Sequence, residues 1–406
     1  QPVAILAQVS VSISPDLRAE LPFSWPAMPR RLPSARRVAA TSVVGLLLVA
    51  GPVLGSVGRG RAELHVHLDG SIGLEALFRL CSARGLALPL PAGGKAVPRS
   101  VADVARYLES KPGWHRFDVV NDIVGGDTVS IRQAAEAFVQ FQADSGVGYT
   151  EVRYDPARLS RSSLGNVSIP EEAAVRAVQE GLAAGARKFG VSVFQILCAM
   201  RGEPAKRCFE VAALAVRLQS QAMGGVVGLD LAGDESSFPN APYVSCFRHA
   251  KQTLGLRTTV HSGEFNHTSS EEVRSAVVDM LADRVGHGYA AARDPSLLAQ
   301  LKERNVHMEA CPKSAKSHGH WALEAIGTFR EIGLNFGLNT DDPVSFIGNT
   351  TAVEDELIVK QDLGFTAQDI ARAYSSARAA AFGVVPPMDE ALQAAEESEI
   401  LGVMFA

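Results

Sequence analysis

Eight short apolar runs alternate with longer amphipathic stretches, and this alternation limits what the chain can fold into more than any other feature. The runs are Ala62 to Val66, Gly148 to Tyr154, Val191 to Leu197, Val226 to Leu231, Arg257 to Val260, Arg284 to Gly286, Val306 to Ala310 and Asn335 to Leu338. Between them, Glu171 to Phe189, Cys208 to Gln221, Glu271 to Leu281, Pro295 to Arg304 and Leu323 to Ile332 carry apolar residues at helical spacing. Strands that alternate with helices in this way predict a parallel sheet wrapped by helices. Eight strands with helical crossovers over about 325 residues fit one (β/α)8 TIM barrel with insertions. A doubly wound open sheet is the alternative. Its dinucleotide-binding version has no support, because no Gly-X-Gly-X-X-Gly turn follows any of the runs.

The first sixty residues read differently and are expected to stand outside the fold, leaving residues 61–406 as a single barrel domain. Arg30, Arg31, Arg36 and Arg37 follow Met28 and precede an apolar run from Val38 to Val57, broken only by small residues and Pro52. This is the pattern of a secretory leader, with cleavage near Gly55 or Ser56. An uncleaved membrane anchor, an organelle-targeting leader and upstream sequence read as coding are the alternatives. The expected compartment is secreted or endomembrane if residues 28–56 act as a signal, and cytoplasmic otherwise.

The formal net charge is -5, yet residues 1–60 hold six Arg against Asp16 and Glu20, so the remainder carries -9. A body that acidic lacks the basic stripe with which a protein replaces phosphate counterions, which argues against a nucleic-acid partner. The five cysteines, Cys81, Cys198, Cys208, Cys246 and Cys311, are odd in number and show no Cys-X-X-Cys spacing. Small core residues are expected there, with neither a disulfide framework nor a thiolate zinc site.

Chemistry-bearing residues gather where the predicted strands end. His65 and His67 sit two apart in a strand, so both imidazoles face the same side and can grip one cation. Asp230-Leu231-Ala232-Gly233-Asp234-Glu235 closes the fourth run and His261-Ser262-Gly263-Glu264 the fifth. Gly286-His287-Gly288 closes the sixth and Asn339-Thr340-Asp341-Asp342-Pro343 the eighth. The carboxyl ends of the strands are where a barrel of this kind builds its active site. Each cluster alone has a plainer reading: a hydrogen-bonded strand-end histidine, an Asp-Pro turn, a helix-start glutamate, a turn glycine. Five of them at five strand ends are explained together by one site. Three imidazoles and a carboxylate, His65, His67, His261 and Asp341, suit Zn2+ with one position left for water. Glu264 would reach the same mouth as a general acid, and His287 would orient or deprotonate the attacking water.

These stretches, with Tyr149 to Tyr154 and Glu309-Ala310-Cys311-Pro312, occur in the order found in the adenosine deaminase family of zinc-dependent aminohydrolases, which the chain resembles from about residue 61 to residue 380. The resemblance implies a single Zn2+ per chain on His65, His67, His261 and Asp341. It also implies that Glu264 protonates purine N1 and that His287 orients the attacking hydroxide. Asp342 is expected to bond N7, the Gly233 amide N3, and Asp69 the ribose 5'-hydroxyl. The implied partner is a small purine nucleoside, with no nucleic acid and no stable membrane partner unless the leader is an uncleaved anchor. The chain looks most like the adenosine branch. Deaminases of adenine or of N6-substituted AMP, and a secreted growth-factor-like member that Trp114-His115-Arg116-Phe117 resembles, are the alternatives. Phe117 and Leu108 are candidates for an apolar lid. The chain departs from the family at Lys313-Ser314-Ala315-Lys316 and at His318 and His320, which are expected to be loop residues the site does not need; at the mouth they would be expected to alter substrate preference rather than the reaction. Solvated or capping positions are expected for His115, His249, His267 and His307 as well.

Overall fold

The computed structural model describes residues 60–90, 93–344 and 350–387, so the leader expected over residues 1–60 lies outside the described residues apart from Gly60. All eight expected strands form: β1 Arg61–His67, β2 Val147–Tyr154, β3 Ser192–Met200, β4 Val226–Ala232, β5 Arg257–Ser262, β6 Arg284–His287, β7 His307–Ala310 and β8 Phe336–Leu338. They pair in chain order and every pair is parallel. A parallel bridge between Val66 and Asp341 joins the last strand's exit to the first strand. There the Asp341 amide donates to the His65 carbonyl at 3.1 Å and the His67 amide to the Asp341 carbonyl at 3.0 Å. The Asn339 side chain adds to the closure, its Oδ1 accepting from the Leu64 and His65 amides at 2.7 and 3.1 Å. The sheet is thus a (β/α)8 TIM barrel, and the open-sheet alternative falls.

Among the helices, α1 (His115–Val124), α2 (Thr128–Asp144), α3 (Glu171–Phe189), α4 (Ala205–Leu218), α5 (Val244–Gln252), α6 (Pro312–His318) and α7 (Ala367–Ala380) matter most below. Their ends follow from local chemistry. Asp127 caps α2 by accepting from the Ser130 amide at 2.7 Å, and α3 stops at Gly190, whose φ of 71° is the left-handed conformation that ends a helix. No helix among the described residues is long and apolar enough to cross a membrane.

Where a barrel interior is usually filled by aliphatic layers, this one holds fully buried charges. Arg153 Nη1 lies 3.1 Å from Asp230, and its Nη2 lies 2.8 Å from Glu309. Arg284 lies 2.7 Å from both Glu151 and Glu309. Below them, Phe382 from the segment after α7 stacks on the Arg284 guanidinium at 3.5 Å and closes the barrel floor with Tyr149 and Phe194.

Two expectations need correction. Cys208 on α4 and Cys246 on α5 form a disulfide across 38 residues, because the two helices are neighbours on the outside of the barrel, although all five cysteines are buried as expected. His307 is neither solvated nor capping. It is buried at the start of β7, with Nδ1 2.7 Å from Asn335 Oδ1 and Nε2 without a hydrogen-bond partner.

Both corrections can be measured. Non-reducing peptide mapping should recover Cys208 linked to Cys246, and Cys208→Ser should cost about 3–4 kcal/mol for a loop of that length. Burial, helped by Arg284, pushes the His307 imidazole down to about 4. The unfolded chain then binds the extra proton between about 6.5 and 4, so this contribution is intact above pH 6.5 and is lost as the pH falls. His307→Gln should reduce the loss of unfolding free energy between pH 7.5 and 5 by about 2 kcal/mol relative to wild type. An identical pH dependence would show that this imidazole is accessible to protons.

Candidate metal centre and active site

The barrel mouth brings together the side chains that the sequence places at separate strand ends. His67 Nε2 lies 3.2 Å from His261 Nε2, and Asp341 Oδ1 lies 3.4 Å from His65 Nε2 and 3.6 Å from His67 Nε2. Two donors on one tetrahedral ion at zinc-ligand distances are about 3.3 Å apart. His65 Nε2 is buried without a hydrogen-bond partner, which is costly for a polar atom unless a cation receives it. Burial and the neighbouring His261 push the His67 imidazole well down, keeping it neutral as a ligand must be. The donor set therefore fits a metal cofactor. Cys311 also lies close enough to join a group with His65, His287 and Asp341. Burial raises its thiol well above the ordinary value, which disfavours the thiolate a metal needs.

The imidazoles are held from behind. His65 Nδ1 meets Glu309 at 2.8 Å and His261 Nδ1 meets Asp230 at 3.0 Å, so in both rings Nε2 turns to the centre. Backbone shape completes the placement. A side chain at Gly286 would come within 2.9 Å of the His65 ring, and one at Gly70 within 1.9 Å of Asp342. His287 and Asp341 take φ of 63° and 64°, left-handed values that only a well-braced non-glycine residue sustains.

Glu264 follows β5 at the edge of a cavity of about 220 Å³, also lined by Asp69, Gly233, His287 and Asp342. Its loop hangs on Glu235, a carboxylate that accepts from the Gly263, Glu264 and Phe265 amides at 2.8, 2.6 and 3.2 Å and from the Thr268 hydroxyl at 3.0 Å. His287 Nε2 lies 3.7 Å from Glu264 Oε1, and burial pushes this imidazole down to about 3, so it is neutral at pH 7. Asp342 is raised well above the carboxylate range, by burial first and then by Asp341, Asp69 and Glu264. Its neutral form is thereby favoured at the cavity wall. Asp69 accepts from Asn121 Nδ2 at 2.8 Å, with Asn121 standing on α1 one turn after Phe117.

Phe117 lines the cavity, whereas the other lid candidate, Leu108, is a buried core residue away from it. The departures past Cys311 also differ from expectation. Residues 312–318 form helix α6 where a loop is expected, and its last residue, His318, places Nε2 2.9 Å from Glu264 Oε1. His320 is exposed and pairs with Glu324 at 3.0 Å, in keeping with a residue outside the site.

The model of the family described as adenosine deaminase matches residues 60–393. The chain belongs to the adenosine deaminase family. Among its relatives, the Mus musculus adenosine deaminase is 35% identical over 338 residues, covering 79% of this chain and 92% of that protein. The Bos taurus adenosine deaminase is 32% identical, covering 85% and 93%. Of solved structures, an amidohydrolase from Burkholderia ambifaria with bound zinc superposes with a TM-score of 0.69 at 22% identity, covering 84% of this chain and 90% of that one. The adenine deaminase of Arthrobacter aurescens superposes at 0.66 and 22%, covering 86% and 100%. At these identities the structural likeness speaks for the fold.

In this adenosine deaminase family member, Glu309→Gln and Gly286→Ala should each weaken zinc binding about 10–100-fold by releasing the His65 ring. Competition with a chromogenic chelator measures it. Wild-type affinity in both variants would mean that His65 is not held by these contacts.

Proposed function

We propose that the chain catalyses zinc-dependent hydrolytic deamination of adenosine, and of 2'-deoxyadenosine, to the inosine product and ammonia. The observation that carries this reading is the convergence of His65, His67, His261 and Asp341 beside Glu264 and His287 at one cavity. The Mus musculus and Bos taurus relatives, matched over more than nine-tenths of their length, are adenosine deaminases.

A bound zinc supplies hydroxide at neutral pH by lowering the pKa of water to roughly 7. The residues of the chain do the rest. Neutral His287 accepts the water's proton and aims the oxygen at C6. Glu264 gives a proton to N1, which draws electrons from C6 and makes it receptive. Asp342 bonds N7, and the Gly233 amide donates to N3. Asp69, braced by Asn121, takes the 5'-hydroxyl. Arg158 at the cavity wall is met by Asp118 at 3.3 Å and Asp155 at 3.6 Å. A 5'-phosphate would meet Asp69 and Asp155 there with little free positive charge to receive it, which favours a nucleoside over a nucleotide.

Incubation of the purified chain with adenosine, 2'-deoxyadenosine, adenine and AMP, with and without chelator, tests this through ammonia release. The two nucleosides should turn over, chelation should stop the reaction and zinc should restore it at about one ion per chain. Glu264→Gln should lower kcat at least ~100-fold. Asp69→Ala should raise KM for adenosine, whereas an adenine deaminase would be little affected. No turnover of any of the four by zinc-loaded protein would remove the reading.

A further inference from the structure

We propose that His318 is a positioning residue for Glu264, and that its Nε2–H is the source of the proton Glu264 passes to the purine ring. The inference rests on the deaminase reading above and adds a residue to it.

α6 follows directly from Cys311, at the exit of β7, and its last residue turns an imidazole back over the mouth. His318 Nε2 is 2.9 Å from Glu264 Oε1, the same oxygen that His287 approaches only to 3.7 Å. The ring is braced edge-on by Phe265, with centroids 4.9 Å apart, and Phe265 belongs to the loop that Glu235 anchors. Its side chain is 21% exposed, so it touches both the buried carboxyl and solvent. The Glu264 side chain is 9% exposed.

The charges agree with this placement. The acidic groups bearing on His318 are Glu264, Asp341 and Glu235. On its own helix, Lys316 is engaged by Asp362 at 2.6 Å and Lys313 stands near Asp355, where its backbone amide bonds at 2.7 Å. Burial opposes protonation of His318, but the hydrogen bond and charge of Glu264 outweigh it and raise the imidazole above its ordinary value. Against the cost of burial, the adjoining imidazoles of His287 and His318 hold the Glu264 carboxyl low. These shifts favour a carboxylate on Glu264 and a protonated His318, so the 2.9 Å contact holds the single proton N1 requires.

The transfer balances. The Nε2–H bond of His318 breaks as an O–H bond forms on Glu264, and that bond breaks as N1–H forms. His318 regains a proton from water at the mouth. Across a turnover, nucleoside, water and one solvent proton give the inosine product and ammonium: the solvent proton stays on N1 and both water protons leave with the amine.

Three variants and wild type, all zinc-loaded, test this with adenosine between pH 5 and 9. His318→Ala should lower kcat at least ~10-fold with KM within ~3-fold, and added imidazole should recover part of the rate. His318→Gln can keep the hydrogen bond but has no proton to give. It should leave KM unchanged while losing the alkaline limb of the wild-type profile that titrates with His318. Glu264→Gln should be inactive. Independently of turnover, the His318 imidazole followed by NMR should titrate above ~6.5 in wild type and fall in Glu264→Gln. Active wild type and inactive Glu264→Gln, with both His318 variants matching wild type in rate and pH profile, would overturn the role of His318 alone. Inactive wild type would overturn the deaminase reading and this inference with it.

Discussion

Glu309 is the junction on which the site depends. One buried carboxylate receives Arg153, Arg284, the Thr259 hydroxyl and His65 Nδ1, all within 3.0 Å, so the ring that faces the cation is continuous with the charges that fill the barrel. None of these groups is tolerable alone. Taking a single partner from a buried ion pair costs about 3–5 kcal/mol, because the charge left behind has no water to replace it. The charges also complement one another. Glu151, Asp230 and Glu309 face Arg153 and Arg284, a surplus of one negative charge beneath a centre whose donors call for a divalent cation.

Function at the mouth follows from environments that push similar groups apart. Asp341 and Asp342 are neighbours in the chain. Against burial, the hydrogen bond and charge of His65 hold the first well below the usual range, while burial and its acidic neighbours hold the second well above. The charged form is thereby favoured at the first, a proposed ligand, and the neutral form at the second. Two histidines beside Glu264 diverge in the same manner, His287 kept neutral by burial and His318 favouring its charged form.

Much of this was legible in the sequence, for identifiable reasons. Buried parallel strands are short and apolar, so all eight stood out, and barrel geometry sends their ends to one mouth, so the proposed ligands, Glu264 and His287 could be picked out from position. What escaped depends on contacts that spacing does not encode. Asp230, Glu235 and Glu309 were visible as motif carboxylates, but only the folded barrel reveals which imidazole or amide each one holds. The Cys208–Cys246 link needs two helices to be adjacent. His318 stands in a segment that departs from the family pattern, seven residues past Cys311, where nothing local announces a turn back to Glu264.

The stitch between Val66 and Asp341 joins residues 275 positions apart, and the donors on either side of it come from the first strand of the ring and from the exit of the last. A cation held there works as a clasp on a belt. During synthesis, the three imidazoles emerge well before the aspartate that fastens them. With the proposed ligand set, full grip would be reserved for a chain that has finished its circuit, so that holding metal would report complete folding.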